Sequence, residues 1–379
     1  MNQSSGSHRP RPATIAILAV LALAACHADP FATPPQGQPG TFGSGAARQL
    51  TYNLGTDLDP AWTLDGSGIL YTFEDLGRPD RDRCIGVLPA AGGTISRTIC
   101  VRTPGTEDST DALAQAAPGP NGQLLLLRAS SGVNQISPVT AGLVLATMTD
   151  PLQGLQVQHY PFLTPGGHQA GGIGEVQWLD ATHALFLAQA VNYPAVCPGC
   201  RQRDTLAVGV EVLYADLSGP APVIANVPNT DEVSSIAAGT TGDDFYYTIN
   251  GDTRVYRRVL STGATSIVHD FGAQGIARDV SLRGNRMLAV VGGVITYSVD
   301  PTLGPVQRDS GGIVVDVDLT NGSSSPIAVP NVFFRNPALA PDGRHAVAQG
   351  YPYTILICGM TCRDTAVSRS SDLWLFDLP

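Results

Sequence analysis

One short pattern recurs along most of the chain, and it constrains the fold more than any other feature. Each copy has a small apolar stretch, a turn rich in Asp, Asn or Gly, and then a second apolar stretch. The clearest copies are residues 60–71 and 337–347, and weaker copies begin near positions 117, 176, 235 and 280. Copies roughly 50 residues apart are typical of propeller blades and too widely spaced for most solenoid repeats.

The repeats predict an all-β, six-bladed β-propeller with four-stranded antiparallel blades. Each copy is followed by a second hairpin, as in 212–219, 254–263 and 314–322, where alternating apolar residues end at a Gly-containing turn. Two hairpins per repeat make one blade. The last strand, 372–378, is expected to be the third of its blade, and 48–52 to supply the missing fourth, so that the ring closes without an open edge.

The repeats also resemble those of a known family. The sequences PAWTLDG at 60–66 and PALAPDG at 337–343 resemble the Pro-x-Trp-Ser-Pro-Asp-Gly repeat of TolB-like propellers. The resemblance covers about 49–379 and implies the fold but no particular activity. No α/β domain is expected ahead of the propeller, unlike in the family's cell-envelope protein, so that protein's role in its envelope complex is not carried over.

The first residues are typical of an export signal. Arg9 and Arg11 precede an apolar run that is too short for the roughly 20 residues of a membrane-spanning helix. The run ends in Leu23-Ala24-Ala25-Cys26, which resembles the lipobox of bacterial lipoproteins, where the Cys is acylated. The alternative is an ordinary cleavage site that leaves Cys26 as a free thiol.

The expected organisation is therefore a signal peptide at 1–25, an acylated Cys26 with a Pro/Gly-rich tether at 26–47, and the propeller at 48–379. Cys26 is followed by His27, whereas inner-membrane retention signals usually have Asp at that place. We therefore expect a cell-envelope location, at the outer membrane facing the periplasm or cell surface if the source is Gram-negative.

The charge of the chain argues against one class of partner. Asp and Glu number 32 against 22 basic residues, for a net charge of −10, and no basic run is present. Nucleic-acid binding needs a basic patch, so none is expected. Contact with the membrane is expected through the lipid anchor only.

Six cysteines remain beside Cys26, and an even number in an exported chain favours disulfides. Their spacing predicts three local bridges: Cys84–Cys100 across a hairpin, and Cys197–Cys200 and Cys358–Cys362 across tight turns. Two alternatives remain open, a redox-active Cys-x-x-Cys at 197–200 and a zinc site formed by the last two pairs. Opposite placement of those pairs in the ring argues against zinc.

Acidic residues precede the innermost strand in five of the six repeats. In a propeller these positions lie on one face, together with the loops between second and third strands, while the Asp-Gly turns lie on the other face. Asp57 has a second acid, Asp59, beside it, and the sixth copy has Arg335-Asn336 instead. Strand capping beside a wet channel is one interpretation, and binding of a cationic partner or Ca²⁺ is the other. The candidate residues for the channel mouth are Asp57, Asp108, Asp111, Glu175, Asp231 and Asp279.

Catalytic signatures such as Gly-x-Ser-x-Gly, His-Glu-x-x-His and the phosphate loop are absent from the sequence. Three functions stay open. The first is a non-enzymatic propeller that binds an envelope protein or peptide, with no cofactor. The second is a metal-dependent propeller enzyme of the lactonase or glycan-acting type, and the third is a structural surface protein without a defined ligand.

Overall fold

The computed structural model describes residues 47–52, 55–74, 83–101, 110–131, 140–160, 169–192, 206–230, 232–292, 295–300, 304–309, 311–357, 363–367 and 370–379. These residues form an all-β fold with two short 3-10 turns, Pro120–Gly122 and Gly272–Gln274. The strands, in chain order, are β1 (Ala47–Gln49), β2 (Asp57–Trp62), β3 (Gly68–Glu74), β4 (Arg83–Pro89), β5 (Arg97–Ile99), β6 (Thr110–Pro118), β7 (Gln123–Ser131), β8 (Thr140–Thr147), β9 (Gly154–Tyr160), β10 (Gln169–Trp178), β11 (His183–Asn192), β12 (Leu206–Asp216), β13 (Val223–Asn226), β14 (Val233–Ala238), β15 (Asp244–Ile249), β16 (Arg254–Val259), β17 (Thr265–Asp270), β18 (Ala277–Arg283), β19 (Arg286–Val291), β20 (Ile295–Asp300), β21 (Gly304–Asp309), β22 (Ile313–Asp318), β23 (Ser323–Ile327), β24 (Val332–Leu339), β25 (His345–Ile357), β26 (Arg363–Val367) and β27 (Asp372–Asp377).

The strands form antiparallel sheets in a propeller arrangement. Four sheets stand separately: β10 to β13, β14 to β17, β18-β19-β22-β23, and β24-β25-β27-β1 with β26 paired to the far half of β25. The first part of the chain instead forms one eight-stranded sheet, because the parallel pair Arg83↔Ala112 joins β4 to β6. The expectation of six separate four-stranded sheets is thus confirmed only in part, with four separate blades. β20 and β21 form an additional hairpin between β19 and β22.

The two ends of the described chain meet in one sheet. β1 pairs antiparallel with β27, with Ala47 opposite Phe376 and Gln49 opposite Trp374. The Leu50 N–H donates to the Leu373 carbonyl at 2.7 Å and extends this ladder. This is the pairing of the terminal segments that the sequence predicts.

Six strands lie innermost and contact one another in a closed cycle: β2, β6, β10, β14, β18 and β24, with β24 returning to β2. Apolar clusters fill the spaces between the strand groups in the same order. Leu288, Phe334 and Phe376 lie in one such cluster, and Tyr71 and Leu375 in the next. The core is therefore a ring of sheet-to-sheet interfaces and not a single central mass.

The ring has two faces, which differ in their connections. The turn face carries the tight turns between first and second strands, where Asp side chains accept backbone N–H groups: Asp65 from Ser67 at 3.0 Å and Asp342 from Arg344 at 2.8 Å. Asx turns of this kind explain why Asp recurs in the repeat. The opposite face, called the insertion face below, carries the first residues of the innermost strands and the connections between second and third strands.

The structure contains one of the three predicted disulfides. Cys84 and Cys100 form a bridge with a Cα–Cα distance of 4.6 Å, on β4 and just after β5. Cys26, Cys197, Cys200, Cys358 and Cys362 lie outside the described residues, as do the predicted signal peptide and tether. Among the helices of the described part, none has the length and hydropathy needed to cross a membrane.

Candidate functional site

The six innermost strands enclose a cavity of about 550 Å³ along the axis of the ring. Every one of them contributes side chains to its wall, including Asp59, Gln115, Glu175, Asp279 and Asn336. A cavity of this volume lies within the range of small-molecule or side-chain binding sites. Its chemistry differs between the two ends.

A β-bulge interrupts each innermost strand near the insertion face, since every one of the six shows a register shift toward its neighbour. Four bulges place a non-glycine residue in the left-handed region: Asp59 at φ 49°, Gln115 at 51°, Glu175 at 36° and Asn336 at 46°. A bulge re-aims a side chain. Here the bulges line the channel with a ring of polar groups, called the polar ring below: Asp59, Gln115, Glu175, Ser235, Asp279 and Asn336.

An ion pair and an amide organise one side of the polar ring. The Arg335 guanidinium donates to Asp279 from Nε at 2.6 Å and from Nη2 at 3.1 Å, and the Asn336 N–H donates to the same carboxylate at 3.0 Å. The Asn336 amide then donates to Asp59 Oδ1 at 2.7 Å and to Gln349 Oε1 at 3.3 Å. Strands β2, β18 and β24 are thereby cross-linked at the channel.

Glu175 lies on the other side of the ring in a desolvated position. Its Oε2 accepts the Ile236 N–H at 2.6 Å, and the Ser235 hydroxyl bonds to the carboxyl group as well. Burial, reinforced by the negative charge of Asp279, raises the pKa of Glu175 to about 8. The carboxyl group therefore holds a proton at neutral pH.

Asp59 is perturbed in the same direction. Burial raises its pKa to about 6, although nearby Arg83 and the bond from Asn336 act against this shift. Two carboxyl groups that face one cavity thus titrate near neutral pH, which is a property of binding and catalytic sites.

Gln115 contributes an acceptor that has no partner. Its backbone N–H donates to Thr72 Oγ1 at 3.1 Å, which fixes the bulge. Its side-chain Oε1 is buried and, among the residues that the structure describes, accepts no hydrogen bond. A buried acceptor without a hydrogen bond costs about 1–3 kcal/mol of free energy, and a donor group of a ligand would recover this free energy.

Beyond the polar ring the cavity has an apolar section lined by Val176, Ile236 and Leu339, and Asp180, Thr240 and Arg283 line it at the turn face. Two tryptophans tie neighbouring innermost strands together there: Trp62 Nε1 donates to the Ala338 carbonyl and Trp178 Nε1 to the Ala117 carbonyl, both at 2.9 Å. Their indoles serve packing between strand groups.

The structure brings only some of the predicted acids to the channel. Glu175 and Asp279 line it, whereas Asp57 is fully buried and does not. Asp111 lies in β6 opposite Ser130, and Asp108 and Asp231 lie outside the described residues. The list of candidate residues lacked Asp59, Gln115, Ser235 and Asn336, because the orientation of these side chains depends on the bulges.

Binding of Ca²⁺ was one of the open interpretations of these acids. In the described part of the chain, no three or more His, Cys, Asp or Glu side chains gather in a way that would hold a metal ion. Both oxygens of Asp279 already accept from Arg335.

Comparison with known proteins shows likeness in fold only. No family model matches the chain, and no curated protein matches it. Among solved structures, XC5397, a gluconolactonase from Xanthomonas campestris, is 11% identical with a TM-score of 0.51, and the match covers 89% of this chain and 90% of that one. TolB from Acinetobacter baumannii is 13% identical, with a TM-score of 0.49 and coverage of 83% and 67%. The calcium-binding protein regucalcin from Agrobacterium tumefaciens is 14% identical, with a TM-score of 0.48 and coverage of 86% and 94%.

Proposed function

We propose that this chain is a lipid-anchored protein of the cell envelope whose six-bladed β-propeller binds a protein or peptide partner at the insertion-face mouth of its channel. The count of six is supported by the cyclic contact of six innermost strands. In this interpretation the eight-stranded sheet is two blades, since each half is an antiparallel series and one parallel pair joins them.

One observation carries the binding proposal: a cavity of about 550 Å³ opens beside a ring of polar groups that includes a buried acceptor to which no described residue donates. Strained backbone at four ring positions costs of order 1 kcal/mol or more each, and strain of this kind clusters at functional sites. A partner segment that enters the channel would meet carboxyl and amide groups first and apolar side chains further in.

The proposed anchor supports an orientation for this site. β1 pairs antiparallel with β27, and its first residue, Ala47, lies beside Phe376 at the turn face, because the following Asp377 is opposite His345. The tether that precedes Ala47 would therefore leave from the turn face. A tether of about 20 residues spans at most roughly 60 Å, and the mouth with the polar ring would point away from the bilayer.

Site-specific photo-crosslinking in intact cells tests the binding face. Glu232 is exposed next to the start of β14 on the insertion face, and Ser67 is exposed on the turn face. With p-benzoylphenylalanine in place of Glu232 we expect a discrete adduct, and with the same group in place of Ser67 none. Adducts from the turn face alone would refute the proposed mouth.

The anchor is tested separately. Cys26→Ser should move the protein from the membrane fraction to the soluble fraction, because acylation is the only membrane attachment proposed. Labelled palmitate should enter the unaltered chain and not the variant. A chain that takes up no palmitate would contradict the lipoprotein proposal and leave the binding site untouched.

A second function, hydrolysis of a lactone or glycan, is favoured by one observation. Glu175 has a pKa near neutrality inside a cavity, as acid–base catalysts often do. Assay of a panel of lactones with Ca²⁺, Mn²⁺ or Zn²⁺ added, against Glu175→Gln, tests it. Turnover that the variant abolishes would establish the enzyme and displace the purely binding function.

A further inference from the structure

We propose that the group received by the polar ring is a primary ammonium. This inference rests on the proposed function, because it specifies what part of a partner enters the channel. The ammonium would come from a lysine side chain or from a free amino terminus.

The first argument is the balance of donors and acceptors in the ring. Asp279 already accepts three hydrogen bonds, two from Arg335 and one from the Asn336 N–H, so most of its acceptor capacity is used. Asp59 accepts one side-chain bond, from Asn336, and Gln115 Oε1 accepts none within the described chain. The ring thus has surplus acceptors, and a donor ligand fits it better than an anion or an apolar group.

The second argument is the position of these acceptors on consecutive strands. Asp59, Gln115 and Glu175 occupy the bulges of β2, β6 and β10, which contact one another in that order. An ammonium group has three N–H donors and needs only three acceptors. A hard metal ion such as Ca²⁺ needs six to eight oxygen ligands, and the described residues do not gather a comparable set.

The third argument is charge. The Asp279–Arg335 pair is internally neutral, which leaves Asp59 and Glu175 as the acids that a cation would meet in the ring. Arg83 is a cation near Asp59, and Arg278 donates from Nε to the Gly292 carbonyl at 2.7 Å. The charges that act on Glu175 are those of Asp279 and Arg335. The polar residues that line the cavity with it in the ring are Asp59, Gln115, Ser235, Asp279 and Asn336.

Proton exchange follows from the burial of Glu175. Glu175 is protonated at neutral pH because it is desolvated. When an ammonium arrives, the carboxyl group ionises, the proton passes to solvent, and the new ion pair replaces a neutral acid without changing the net charge of the site. Binding should therefore release one proton and tighten as the pH rises from 6 to 8.

Calorimetric titration of the full mature chain with three tripeptides tests the inference. Ac-Gly-Lys-Gly-NH₂ offers a side-chain ammonium, Gly-Gly-Gly-NH₂ an amino terminus, and Ac-Gly-Nle-Gly-NH₂ a neutral side chain of similar shape. Titration at pH 7 in phosphate and in Tris gives the number of protons released. We expect about one proton with the ammonium ligand and no detectable heat with norleucine.

The pH dependence distinguishes the two sources of ammonium. A lysine stays charged up to about pH 10, so its Kd should fall roughly 50-fold between pH 6 and 8 as Glu175 ionises. An amino terminus loses its own proton near pH 8, so the Kd of the peptide with a free amino terminus should fall less than that of the lysine peptide over the same range. Equal binding of the norleucine peptide, or binding without proton release, would overturn the inference.

Three variants test which residue releases the proton and which residues bind the ammonium group. Glu175→Gln should abolish proton release, and Gln115→Leu should weaken binding while one proton is still released. Asp65→Asn changes a carboxylate on the turn face that does not line the cavity, and it should leave both quantities unchanged. Failure of both cationic peptides to bind, with partner adducts still formed from position 232, would refute the ammonium inference and leave the proposed function standing.

Discussion

Arg335 on β24 clamps Asp279 on β18 through two hydrogen bonds of 2.6 and 3.1 Å. The carboxylate side chain is only 3% exposed and the guanidinium side chain 31%. The pair therefore joins two neighbouring innermost strands beside the channel.

The first prediction concerns this clamp. Arg335→Gln leaves a buried carboxylate without its cation, and breaking such a pair costs several kcal/mol when it is fully buried. Because Arg335 is partly exposed, we expect a loss of about 2–3 kcal/mol in the free energy of unfolding, measured with urea.

A double variant and a surface control complete that test. Adding Asp279→Asn removes the stranded charge, so Arg335→Gln with Asp279→Asn should lose less than the sum of the single losses. Arg344→Gln changes an exposed arginine and should shift stability by less than about 0.5 kcal/mol. Additive losses would show that the two residues act independently.

The second prediction concerns pH. Native Glu175, with its pKa near 8, keeps a proton that the unfolded chain releases above its usual value of 4.5. This contribution to stability is complete below about pH 4.5 and is lost as the pH rises through 8, at up to about 1.4 kcal/mol per pH unit. Asp59 adds a loss of the same sign that ends near pH 6. Urea unfolding at pH 5.5, 6.5 and 7.5 should show the decline, and Glu175→Gln should flatten it.

Asp65 on the turn face provides a control carboxyl group for the test of Glu175. Hydrogen bonds from the Thr63 hydroxyl and from Ser67 lower its pKa to about 2, so it stays ionised in both states across this range. Asp65→Asn should change stability by the same amount at pH 5.5 and at 7.5. If Asp65→Asn removed the pH dependence of the free energy of unfolding and Glu175→Gln did not, the titrating group would lie on the turn face and the prediction would be wrong.

The repeats predicted the all-β propeller arrangement because local signals specify it. Asp65 and Asp342 accept hydrogen bonds two residues along the chain, so their turns form from the local sequence. The terminal pairing of β1 with β27 was also predictable, because one strand was missing from the last repeat.

The polar ring was only half predictable. The acids before five of the six innermost strands predicted acidic side chains at one end of the channel, and Glu175 and Asp279 line the channel. A bulge changes which side of the strand faces inward, and so Asp59 and not Asp57 lines the channel. The pairing of Asp279 with Arg335 joins residues more than fifty positions apart, a contact that no local pattern encodes.

The third prediction concerns the fit between two strand groups. A Cβ on Gly119 would lie 2.3 Å from the Trp178 indole, which is held by its bond to Ala117. Gly119→Ala should therefore cost about 1–3 kcal/mol through overpacking and alter tryptophan fluorescence. Gly219→Ala, whose Cβ would meet an atom only at 3.5 Å, is the control. Equal stability of the two variants would refute the proposed tightness of this interface.

The fourth prediction concerns the sulfurs. Cys84 and Cys100 close a loop with a sequence separation of 16, and a loop of this size contributes about 3 kcal/mol. Replacing both by Ala should lower the free energy of unfolding by about 2–3 kcal/mol. Non-reducing peptide mapping of the unaltered chain should also find Cys197 joined to Cys200 and Cys358 to Cys362. A peptide that links Cys197 or Cys200 to Cys358 or Cys362 would contradict the local pairing.

The last prediction concerns the closure of the ring by β1. Ala47 is 1% exposed in a cluster with Phe376, and β1 covers the outer edge of β27, whose sequence is strongly apolar. A chain that begins at Leu50 should lose about 2–3 kcal/mol, at about 1 kcal/mol for each lost hydrogen bond, and should self-associate through the open edge. Sedimentation and urea unfolding measure both effects, with a chain that begins at residue 46 as the control that keeps β1. A peptide of residues 44–52 added in trans should restore the monomer, because it supplies the missing strand. A monomeric truncated chain of unchanged stability would show that β27 does not need this partner.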